Sequence, residues 1–425
     1  MTKTVDKLID FIEKSPSAFH AAETMAKRFQ DAGFEELKEG NPWKLVPGGN
    51  YYVMRNHSAF IAFSIPSEEA LKNVWKFHIM SSHSDSPTFK IKENPEISVE
   101  KAYVKLNVEK YGGMILSTWF DRPLSVAGRV LVEKNGELQE KLVDVDKDLV
   151  MIPNLAIHMN REVNDGYSYN AQKDMLPLYG TGDAQGTFMK KIAEAAGAEE
   201  EEILGHDLFL YSRTPASQWG ADEEFFSCGR IDDLECAFAS MEGFLSGAKQ
   251  NSIAVHCVMD NEEVGSCTKQ GAASTFLKDT LLRINTGLGR SYEEYLMTLS
   301  NSFMISADNG HALHPNYADK CDPANRPVLN GGIMIKYSAN QKYCTDGVSA
   351  AEFKLLCKKA DVPYQIFVNR SDILGGSTLG NISGTQVAVS TVDIGLPQLA
   401  MHSAYETAGV KDVEYLCKVV KEFFC

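Results

Sequence analysis

Four apolar runs in this chain end in residues that bind metals or move protons. VWKFHIM leads into His83 and Asp85, SIAVHCVM into Asp260, Glu262 and Glu263, and NSFMIS into Asp308 and His311. A fourth run, VAVSTVDIGLP, reaches His402 after a short loop, and Asp232 stands just ahead of a helical pattern in GRIDDLECAF. Short apolar runs bounded by turn formers read as buried strands. In open α/β sheets ligands bind beyond the carboxyl ends of strands, so the four ends offer imidazoles and carboxylates to one crevice. Two histidines with three or four carboxylates suit zinc, manganese or cobalt better than thiolate chemistry. Five protein ligands exceed the three that one catalytic zinc takes, and they fit two ions about 3.5–4 Å apart sharing a carboxylate.

Adjacent side chains leaving a strand diverge, so one of Glu262 and Glu263 can hold a metal while the other faces a water as general base. His83 and Asp85, two apart in an extended segment, face the same side, where Asp85 can hydrogen-bond the imidazole and fix its tautomer. Taken singly, each piece reads more readily as a solvated acidic loop or a structural histidine. Their joint occurrence points to a metal centre. No phosphate-binding G-x-x-x-x-G-K-[ST], nucleophile-elbow G-x-S-x-G or zinc-binding H-E-x-x-H occurs. The glycine-rich SDILGGSTLG either cradles an anion or turns the chain at a pocket wall. His20, His57, His78, His206 and His256 lack a carboxylate companion and read as structural, while His314 is open to either reading.

The elements that position these residues are legible in outline. Ser15-Pro16 reads as an N-cap and first helical residue of a helix through about Phe34, with Ala59–Ser64 and Val74–Met80 as strands after it. From about Thr88 to Phe226 the pattern is one of strands and hairpins, with an Asn135-Gly136 turn between two alternating runs. Strand–helix alternation then returns, which implies an α/β layer with a largely parallel sheet flanked by helices. The expectation is a discontinuous catalytic domain over 1–87 and 227–425, with 88–226 inserted as a β-rich dimerisation domain.

Composition narrows the function classes. A chain of 425 residues is long for one hydrophobic core and suggests two domains. A net charge of −15 excludes broad nucleic-acid binding, since nothing would neutralise phosphates. An acidic substrate must therefore be held by a local cation. No apolar run is long enough to span a membrane, and MTKTVDKLIDFIEKSP reads as an amphipathic helix, not a signal peptide. Nine cysteines without a C-x-x-C pair fit a reducing cytoplasm better than a disulfide framework.

The chain resembles the aspartyl aminopeptidase family of two-zinc exopeptidases. The likeness runs in order through SPSAFHAAE, SSHSDSP, WFDRPLSVAGRV, IPNLAIHMNREVN, GRIDDLECAF, DNEEVGS, ISADNGHALHPNY, NGGIMIKYSANQKY and PQLAMHSAYE. It implies removal of N-terminal residues from peptides, with acidic ones preferred, by two divalent ions per subunit. His83 and Asp308 would bind one ion, Glu263 and His402 the other, with Asp232 bridging and Glu262 as general base. The resemblance makes His158 a catalytic residue that reaches a neighbouring subunit, within a tetrahedral dodecamer built from dimers. It places His311, Lys336, Tyr343, Gly376 and Met401 at the substrate pocket, with Lys336 as the cation for an acidic side chain. The glycine loop departs from the family pattern at Gly375 and at Gly380-Asn381, which leaves the shape of that pocket open. Leucine-type specificity and a non-catalytic shell protein of the same fold are the alternative readings.

Overall fold

The computed structural model describes residues 3–425. Its largest sheet has nine strands, and the central four carry the argument. In spatial order these are Ile253–Met259, Phe77–His83, Phe303–Ala307 and Ser390–Gly395, all mutually parallel. They are apolar almost throughout because both faces of the sheet are covered. Helices Thr4–Glu13, Ala18–Asp31, Ile231–Ser246, Gly347–Lys359 and Asp412–Phe423 bury one face, and Phe276–Gly287 with Tyr292–Ser300 cover the other. Flanking strands run in both directions, so the sheet is mixed and largely parallel.

A six-stranded antiparallel sheet draws every strand from residues 88–212 and has its own core around Phe89, Val126 and Leu208. Its hairpin Leu124–Lys134 to Glu137–Asp144 turns at Asn135 and Gly136, both at positive φ, as a two-residue turn requires. A third, five-stranded sheet joins Ser217–Trp219 and Phe225–Cys228 to Glu406–Gly409, Pro397–Leu399 and Gly310–His311. The chain thus begins hydrogen-bonding to its C-terminal part before residue 227. Among the described residues, no helix is long and apolar enough to cross a membrane.

Two local expectations are corrected. The second helix begins at Ala18, with Ser17 as N-cap accepting from the His20 N–H, and not at Pro16. It ends at Asp31, because Gly33 adopts a φ of 85° that no helix continues through. The strand expected over Val74–Met80 spans Phe77–His83, so that imidazole sits at the carboxyl end of a strand in the middle of the sheet.

His256, in the strand Ile253–Met259, is fully buried, and neither ring nitrogen finds a partner. It stacks on Phe29 at 5.6 Å, and burial pushes its pKa down to about 3. The unfolded chain binds a proton near pH 6.5 and the folded one does not, so this group costs stability increasingly as pH falls from about 6.5 toward 3. His256→Leu is expected to raise stability by on the order of 1 kcal/mol at pH 8. The gain over the parent grows at pH 5. Urea midpoints of both proteins at the two pH values check this; a gain that shrinks on acidification contradicts it.

Candidate active site

The parallel strands deliver their ends to one point. His83 is the last residue of its strand, Asp308 follows Ala307, and Glu262 and Glu263 follow Met259 through a short helical turn. Asp232 lies in the first turn of Ile231–Ser246, and His402 in the loop between two strands of the five-stranded sheet. Asp232 is central: Oδ1 is 3.4 Å from His83 Nε2 and Oδ2 is 3.3 Å from His402 Nε2. Asp308 Oδ1 is 3.7 Å from His83 Nε2, and Glu263 Oε1 is 3.4 Å from His402 Nε2. The five residues expected from sequence as metal ligands therefore converge.

Each imidazole is oriented by a carbonyl. His83 Nδ1 lies 3.0 Å from the Asp85 main-chain oxygen and His402 Nδ1 lies 2.5 Å from that of Gly113. With both Nδ1 atoms as donors, both Nε2 lone pairs face the carboxylates. Sequence reasoning gave the Asp85 carboxylate the task of fixing His83. It stands 3.4 Å from Nδ1, but it accepts from the N–H groups of Glu262 and Glu263 at 3.1 and 3.2 Å and from Tyr111 Oη at 2.7 Å. Asp85 thus holds the backbone of Glu262 and Glu263 through its side chain, and the His83 imidazole through its carbonyl.

The donor set fits divalent cations. Asp232 Oδ1, Asp233 Oδ1 and Glu263 Oε1 are buried without a hydrogen-bond partner. Donor atoms of His83, Asp232, Asp233 and Asp308 lie within 4.8 Å of one another, as do those of Asp232, Glu263 and His402. Unpaired carboxylates at such range repel one another unless positive charge stands between them. Their titration says the same. Burial first, and neighbouring carboxylates second, push Glu262 up to about 9, while burial and Asp232 raise Glu263 to about 7. Against the cost of burial, Asp232 and Glu263 hold the His402 imidazole up to about 11.

A family model for the aminopeptidase I zinc metalloproteases (M18) matches residues 11–424. The chain belongs to the M18 aminopeptidase family. Probable M18 family aminopeptidase 2 of Clostridium novyi is 48% identical over 428 residues, covering 99% of this chain and 98% of the relative. The protein of the same description in Pseudomonas aeruginosa is 40% identical over 423 residues, covering 98% and 97%. Among solved structures, a cryo-EM structure of an Ape4 and Nbr1 complex superposes with a TM-score of 0.94 at 35% identity, covering 98% of this chain and 84% of that one. The structure of an S. cerevisiae mApe1 dodecamer gives 0.85 at 28% identity, covering 99% and 95%. This M18 aminopeptidase is thus a member of a zinc metalloprotease family, and its fold is that of its relatives.

Beside the cluster opens a pocket of about 330 Å³ lined by His311, Lys336, Tyr343, Gly376 and Met401 together with the acidic groups. Lys336 is buried, donates to the Asn309 carbonyl at 2.9 Å and lies 3.5 Å from Asp308 Oδ2. Its burial excludes a solvent-facing strand lysine. His158 stands apart: it is exposed in a loop with the exposed Leu155, Ile157 and Met159, and it does not line this pocket.

Several supporting residues were missed from sequence. Asp233 accepts from the His83 N–H at 3.1 Å. Glu406 accepts from the N–H of Asp232 at 3.1 Å and of His402 at 2.7 Å. The doubled acid in GRIDDL was a visible signal for Asp233; Glu406 gave none.

Proposed function

We propose that this M18 aminopeptidase removes single residues, preferentially acidic ones, from peptide N-termini with two divalent ions per subunit. The reading rests on the convergence of His83, Asp232, Glu263, Asp308 and His402 around unpartnered carboxylate oxygens. His83 and Asp308 would hold one ion and Glu263 and His402 the other, while Asp232 turns one oxygen toward each imidazole. Zinc pairs of this kind supply Lewis acidity, polarising a carbonyl and making a water acidic near neutral pH.

The chain's own residues then move the proton. Glu262 takes it from the attacking water and hands it to the leaving amine. Its position suits the task, since Asp85 fixes its backbone while the carboxylate lines the pocket. Carboxylates around the ions receive the substrate's free amino group, which restricts cleavage to the first residue. His158 serves a neighbouring subunit; its exposure among apolar side chains suits insertion into a second copy. Residues 88–226 form the dimerisation domain and 1–87 with 227–425 the catalytic one, and the dimers assemble into a dodecamer like that of the related mApe1. Nine free cysteines suit a cytoplasmic location.

Lys336 carries the acidic preference, because its ammonium lines the pocket in a chain whose net charge of −15 otherwise repels acids. On zinc-loaded protein, kcat/KM for Asp- or Glu-terminated peptides is expected to exceed that for Leu by about tenfold or more. Lys336→Met should reduce that ratio to near unity, with metal content measured in parallel because Lys336 also touches Asp308. A parent enzyme that favours leucine contradicts the acidic preference.

A further inference from the structure

A second cavity, of about 340 Å³, shares no lining residue with the catalytic pocket. It sits where the chain crosses between the two large sheets, since Ser86–Thr88 on the way out and Ser212, Gly229 and Arg230 on the way back all line it. Asp85, Asp260 and Asn261 line it as well, so its floor is the reverse side of the metal cluster. The body is aromatic. Phe209 meets Tyr111 edge-on at 5.5 Å and Phe19 at 6.5 Å.

The pairing of its charges decides what the cavity takes. Its carboxylates are engaged: Asp207 by Lys90 at 2.7 Å and Arg129 at 3.0 Å, Asp85 by two N–H groups and Tyr111, and Asp260 by the Asn261 N–H at 2.7 Å. Its cations are not all engaged. Arg230 donates from Nε and Nη2 to the carbonyls of Ser15 and Ile12, each at 3.1 Å, and forms no ion pair among the described residues. Lys269 at the rim is exposed and likewise without a carboxylate among them. A guanidinium keeps its charge at any working pH and prefers a carboxylate partner. An incoming ammonium finds the acids taken, while an incoming carboxylate finds an unpaired guanidinium among aromatic walls. The volume lies in the range of small-molecule sites.

We propose that this cavity between the sheets is a regulatory site for a small organic carboxylate with an aromatic or branched apolar body, anchored by Arg230. The occupant acts on the metal cluster through its floor. Arg230 lies two residues before Asp232, and Asn261 Nδ2 donates to Tyr111 Oη at 2.7 Å, whose own hydroxyl is held by Asp85. Filling the cavity therefore bears on the segments that carry Asp232, Glu262 and Glu263, and coupling of this kind is reciprocal between the two sites.

The test is calorimetric and does not depend on hydrolysis, so it stands apart from the proposed activity. Zinc-loaded protein is titrated with N-acetyl-phenylalanine, which lacks a free amino terminus, and with its neutral amide. The carboxylate is expected to bind saturably, and the amide about tenfold more weakly or worse. Arg230→Gln should weaken the carboxylate by a similar factor of about ten. Because Arg230 also holds the carbonyls of Ser15 and Ile12, Ala18→Trp, which fills the cavity from the start of the helix Ala18–Asp31, is the second variant and should abolish binding. Saturating carboxylate should change kcat on an aminoacyl substrate by about twofold or more. No saturable heat, equal affinity for acid and amide, or binding that survives both variants overturns the site. Unchanged kcat at saturation overturns its regulatory role.

Discussion

Glu262→Gln should lower kcat by about two to four decades while leaving zinc content unchanged. Gln matches the size and shape of Glu, and the Glu262 N–H stays on Asp85, so the loop keeps its place. What disappears is the ability to accept a proton from the attacking water and return it to the leaving amine. KM should move little, because Lys336, Tyr343 and Gly376, which also line the pocket, are unchanged. Steady-state kinetics and metal analysis on the same preparation provide the check. Near-normal turnover would remove Glu262 from the role of base.

Asp232→Asn should cost more. Asp232 places one oxygen toward each imidazole, and it is buried at the centre of the cluster. In the proposed two-ion site, loss of its charge would leave both ions short of a ligand, so activity is expected to fall on the order of 10³-fold or more. Dialysed protein should retain at most one ion per subunit. The backbone supports survive, since the Asp232 N–H still donates to Glu406 and its carbonyl still accepts from Ser86 Oγ. The fold is therefore expected to hold, which circular dichroism can verify. A variant that keeps both ions through dialysis would contradict the bridging assignment.

The part of this site written in local sequence was readable. His83, Asp308 and the Glu262-Glu263 pair each follow an apolar run, and parallel strands bring such ends together. Short unbroken apolar runs give the buried strands away, and the Asn135-Gly136 turn fixes a hairpin on its own. Other features depend on meetings between distant segments. Glu406 acts on backbone groups of residues 232 and 402, and a polar residue in a short strand gives no sign of its target. Tyr111 reaches Asp85 and Asn261 only because the inserted sheet packs beside the catalytic one. The helix start was misplaced by two residues because Ser15 and Ser17 offer equal N-cap chemistry, and packing chose between them.

The two sides of the pocket are built differently. Its floor consists of the ends of buried parallel strands, where a displaced atom disturbs the central sheet. Its outer wall includes Gly376, in the segment 371–377, which is largely exposed and belongs to no strand or helix. Mutations can therefore accumulate in that wall at little cost to the floor, so relatives can diverge in which residue they accept while keeping one way of breaking the bond.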